Sequence, residues 1–75
     1  MPTIRTPTGR DFLDAMRETE DDFSRACFLI FRCAYAGEER AFASVSEVLE
    51  QPYGVLRALE EELVSKMEPP VPDPT

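Results

Sequence analysis

Seventy-five residues make one domain at most, and a chain this short buries only about 60% of its unfolded surface, so its core is marginal without a staple or a partner. The formal net charge of -7 and the pI near 4.4 oppose phosphate backbones and anionic lipid, which argues against nucleic acid and membrane as partners. There is no His, and Cys27 and Cys33 form no Cys-x-x-Cys pair, so neither a metal site nor a redox motif is expected and the thiols read as buried side chains in a reducing cytosol.

Met1 to Pro7 reads as an extended arm. Thr8 stands three residues before Asp11, in the manner of a capping box, and Phe12, Leu13 and Met16 follow at helical spacing, predicting a helix over Gly9 to Glu18. Thr19 repeats the signal with Asp22, while Glu20 and Asp21 suit the positive end of a helix dipole. A second helix starts there, or the two are continuous.

From Phe23 the apolar positions 23, 26, 27, 30, 31 and 34 trace one broad face, and Phe28, Leu29, Cys33 and Tyr35 fill much of the rest. A helix apolar nearly all round needs cover nearly all round, and the rest of this chain offers little, which predicts a partner or self-association. The aromatic content of Cys27 to Tyr35 keeps a strand as the alternative. Cys27 and Cys33 lie roughly 120° apart around a helix and cannot face each other there.

Gly37 suits the position after a helix, where a left-handed backbone is needed. Glu38, Glu39 and Arg40 read as a solvated link, and Ser44 with Glu47 forms a capping box for a short helix from Val45 to about Glu50. Pro52 opens the last helix, to Met67, with Val55, Leu56, Leu59, Leu63 and Met67 on one face and the pairs Arg57/Glu61 and Glu62/Lys66 on the wet side. Glu68 to Thr75 is Pro-rich and predicts a disordered tail. The domain organisation is thus an arm over 1–7, a helical domain over 8–67 and a tail over 68–75, with an all-α fold of three to four helices.

No nucleophile and base can be assembled without His, and the carboxylates read as caps and solvated faces, so no catalytic, cofactor-binding or metal-ligating residue is assigned and an enzyme is not expected. The N-terminal residues lack the apolar run of a signal peptide, and no apolar run spans a bilayer, which predicts a soluble intracellular protein.

Leu29-Ile30-Phe31-Arg32-Cys33-Ala34-Tyr35, Gly37-Glu38-Glu39-Arg40-Ala41-Phe42, Ser44-Val45-Ser46-Glu47-Val48-Leu49-Glu50-Gln51-Pro52 and Gly54-Val55-Leu56-Arg57-Ala58-Leu59 follow one another in an order that resembles the tail assembly chaperones of long-tailed bacteriophages. The likeness runs from Arg25 to Met67 and is one of residue classes. It implies a protein of the bacterial host cytoplasm that acts during virion assembly and is absent from the finished particle. Such a protein coats the tape measure protein and helps bring tail tube protein to it. With the apolar girth of the central helix, the resemblance points to Phe28, Leu29, Arg32 and Tyr35 as partner-binding residues, and a homo-oligomer is expected. The alternative is a small helical adaptor or inhibitor, antitoxin-like or aimed at a host factor.

Overall fold

A computed structural model describes residues 2–67. In chain order these form β1 (Thr3–Ile4), α1 (Gly9–Glu18), α2 (Asp22–Cys33), β2 (Ala34–Ala36), β3 (Glu39–Arg40), α3 (Val45–Leu49) and α4 (Tyr53–Met67). The fold is mostly helical, but it is not all-α, because three short strands form an antiparallel sheet in the order β1-β2-β3. The Pro-rich stretch 68–75 lies outside the described residues.

The helix starts are local chemistry. Thr8 Oγ1 accepts from the Asp11 N–H at 3.2 Å while the Thr8 N–H donates to Asp11 Oδ2 at 2.9 Å, a reciprocal box that starts α1 at Gly9. Thr19 does not start α2. It ends α1, its hydroxyl donating to the Ala15 carbonyl at 2.6 Å, and Asp21 caps α2 by accepting from the Ser24 N–H at 2.7 Å and the Ser24 hydroxyl at 3.0 Å. Those donors stabilise the Asp21 carboxylate and lower its pKa. Ser44 caps α3, but the Glu47 carboxylate reaches past it to accept from the Ala43 N–H, one residue earlier than a reciprocal box requires.

The sheet is where long-range pairing overrides local pattern. The helix expected to run through Tyr35 stops at Cys33, and the backbone turns extended at Ala34, with φ -81° and ψ 126°. The N-terminal arm supplies the reason. Ile4 pairs with Ala34 and Thr3 with Tyr35, and the Arg5 N–H donates to the Cys33 carbonyl at 2.8 Å. On the other side Tyr35 pairs with Arg40 and Ala36 with Glu39, so Glu39 and Arg40 are the returning strand of a hairpin whose turn holds Glu38, and the stretch is not a loose link. Gly37, with φ +70°, is the first central residue of that two-residue turn, and Glu38 keeps φ negative, the signs of a type II′ hairpin. The left-handed backbone expected at Gly37 is present, but it closes a hairpin and not a helix.

Ile4 is 1% exposed, so the arm contributes one of the largest fully buried side chains. With it the core holds Cys27, Leu29, Ile30 and Cys33 of α2, Ala34, Phe42, Val48 and the α4 stripe Leu56, Leu59 and Leu63. α2 is central, touched by α1, α3, α4, β1 and β3. Phe28 and Phe31 lie half-buried against this core, meeting edge to face with centroids 6.1 Å apart. The chain therefore covers much of α2 itself, with Phe23 left as the exposed large apolar side chain of that helix.

α1 docks against expectation. Its apolar residues Phe12, Leu13 and Met16 stay exposed, and it meets α2 through Ala15, which is fully buried, and through Asp11 and Asp14. The Arg32 Nη2 lies 3.2 Å from Asp11 Oδ1 and 3.1 Å from Asp14 Oδ2, so a single guanidinium clasps the helix at two points. On α4 the pairs Arg57/Glu61 and Glu62/Lys66 are not among the ion pairs of the described residues; Glu62 instead accepts from the Ile4 N–H at 3.3 Å, tying the outer edge of β1. Among the described residues, no helix is long and apolar enough to cross a membrane.

Candidate functional site: an apolar groove between helices

Two helical stripes face each other across a groove of about 470 Å³. On α2, Asp22, Phe23, Arg25, Ala26 and Leu29 recur at one face; on α4, Tyr53, Arg57, Glu60, Leu63, Val64 and Met67 do the same, and Phe12 of α1 contributes to the lining. Leu29 and Leu63 are core residues that form the floor. Phe12, Phe23, Tyr53, Val64 and Met67 are exposed, and they are five of the eight large apolar side chains in that state among the described residues, so the uncovered apolar surface is concentrated here.

The charges of the groove sum to zero on a chain of -7: Asp22 and Glu60 against Arg25 and Arg57. Arg25 is held by a contact of 3.3 Å from its Nη1 to Asp22 Oδ1, and that aspartate is fully exposed. The Nε of Arg25 is buried and has no acceptor. This is the single buried side-chain nitrogen or oxygen left without a partner among the described residues.

The four residues expected to bind a partner do not form one surface. Leu29 is 3% exposed, in the core and at the groove floor. Phe28 lies on a different side of α2, beside Cys27, Val45 and Leu49, in a smaller hollow of about 300 Å³. Arg32 is committed to Asp11 and Asp14, with its guanidinium carbon 5.8 Å from the Phe28 ring centroid. Tyr35 lies in the sheet, with the Arg5 guanidinium stacked 3.7 Å above its ring. Arg40 approaches Phe31 similarly, at 5.3 Å.

Neither thiol is suited to nucleophilic work. Burial, then the charges of Glu60 and Asp21, raises the Cys27 pKa, and burial followed by the Asp11 charge pushes Cys33 up to about 11. Both are free and buried.

Phe12, Phe23, Tyr53 and Val64 were missed as site residues because each reads, one helix at a time, as part of an amphipathic face. The available signal was excess width. Tyr53 and Val64 fall beside the Leu56-Leu59-Leu63 stripe of α4 and are not needed to complete it. Comparison with protein-family models, curated proteins and solved structures finds no match for this chain.

Proposed function

We propose that this chain is a protein-binding chaperone and not an enzyme, and that it acts as a tail assembly chaperone of a long-tailed phage. In this reading it covers an apolar helical segment of the tape measure protein, in the bacterial host cytoplasm, and helps bring tail tube protein to it. The observation that carries the reading is the gathering of exposed Phe12, Phe23, Tyr53, Val64 and Met67 into one helix-walled groove. A client helix laid there trades two wet apolar surfaces for one dry interface. The resemblance of residue classes to that family over Arg25 to Met67 is what suggests this client. The net charge of -7 suits the task, since a strongly charged small protein keeps the complex it forms in solution.

The binding surface proposed is now the groove, in place of the set Phe28, Leu29, Arg32 and Tyr35. Co-expression with a phage tape measure protein, the client proposed, tests both parts. The client becomes soluble with the wild-type chain and stays insoluble with Val64→Glu, whose side chain is 44% exposed and whose helix content is unchanged. A client equally soluble without this chain removes the chaperone reading. Solubilisation that survives Val64→Glu removes the groove.

A further inference from the structure

We infer that the groove takes an amphipathic helix that brings a carboxylate to Arg25, an inference that rests on reading the groove as a protein-binding site. The walls are helices whose backbone groups are already paired, so they offer nothing to the unpaired N–H and C=O groups of an extended peptide. An occupant that satisfies its own backbone is a helix. The lining of α4 from Tyr53 to Met67 is roughly 21 Å long at 1.5 Å per residue, enough for about four turns of a helix laid along it.

Arg25 sets the chemistry of the occupant. Its Nε has no acceptor, and its contact with fully exposed Asp22 is one that water screens. Any helix seated in the groove strips water from this guanidinium. A purely apolar occupant would leave a desolvated cation with one weak partner, which opposes binding. A carboxylate facing the groove wall removes that cost, because the planar fork of a guanidinium matches two carboxylate oxygens. The part of the guanidinium that is exposed, on a side chain that lines the groove, is where such a carboxylate docks. The occupant thus carries apolar side chains one and two turns apart with one Asp or Glu on the same face.

The test is selection of binders from a randomised helical peptide library displayed against the full chain, wild type and Arg25→Glu. On the wild type, selected peptides share Asp or Glu at one register position. On Arg25→Glu that position changes to Lys or Arg. In one selected peptide, Glu→Gln weakens binding to the wild type by about tenfold or more, and by less than about twofold to Arg25→Gln, which also serves if Arg25→Glu loses its helical signal. Peptides that require Val64 but show no acidic position, or keep it on Arg25→Glu, overturn the inference and leave the groove as a binding site. Peptides indifferent to Val64→Glu, or none at all, remove both. Concentration-dependent self-association in light scattering that Val64→Glu abolishes assigns the groove to a second copy and likewise overturns the inference.

Discussion

Arg32 is the position where the structure changes most what a substitution should do. Read as a lone cation in an apolar run, it invites the expectation that Arg32→Ala weakens partner binding and spares the fold. In the structure its Nη2 lies 3.2 Å from Asp11 and 3.1 Å from Asp14, with the three side chains 23%, 17% and 28% exposed. Exposed pairs contribute about 0–1 kcal/mol, and hydrogen bonds to charged groups about 1.5–3 kcal/mol. Partial burial places this clasp between the two, at about 2–3 kcal/mol for both contacts together. Arg32→Met keeps most of the stem that packs beside Phe28 and removes the charge, leaving Asp11 and Asp14 facing each other as like charges at i, i+3. A 75-residue domain has roughly 4–11 kcal/mol of stability, so the loss is a large fraction of the total. The melting temperature should fall by roughly 10–20 °C. A thermal scan followed by circular dichroism measures that fall, urea unfolding measures the loss of stability, and the double cycle with Asp11→Asn and Asp14→Asn isolates the pairwise part. A loss under about 0.5 kcal/mol, the range of an ordinary surface change, would refute the clasp and return Arg32 to the pool of surface residues free to meet a partner.

Ile4→Ala removes a side chain that is 1% exposed and should cost about 2–4 kcal/mol in urea melts, where a loose arm would cost nothing. At Gly37 an added Cβ meets no atom within 4 Å, so Gly37→Ala carries only the conformational penalty of φ +70°. That is about 1–2 kcal/mol; equal stability of Ala and Gly there would contradict the positive φ of the turn. For Cys33 the folded pKa of about 11 lies above the ordinary 9.0, so burial of the neutral thiol stabilises fully below pH 9 and that contribution is lost as pH rises through 11. Stability measured across that window falls for the wild type and less for Cys33→Ala. At pH 8 a thiol reagent labels both cysteines only after unfolding, and rapid labelling of the native protein would show that the core over α2 is open.

The starts of α1 and α3 were legible in the sequence because a cap is chemistry between residues three apart, whereas the start of α2 and its end at Cys33 were not. Thr8 with Asp11 set Gly9, Ser44 set Val45, and the Leu56-Leu59-Leu63 stripe chose the buried side of α4 with no knowledge of what it meets. The buried thiols followed from their apolar surroundings in the same way. Partners far apart in the chain were not legible. Ala34 to Ala36 leaves the helix because Thr3 and Ile4, some thirty residues earlier, supply a strand to pair with, and no periodicity within α2 records that. α1 turns its acidic side inward because Arg32 waits on the facing helix, inverting the side that hydrophobic spacing alone selects. The groove is tertiary for the same reason: Phe23 and Tyr53 are each unremarkable on their own helices, and only the packing of α2 beside α4 leaves them on opposite walls of one uncovered apolar surface.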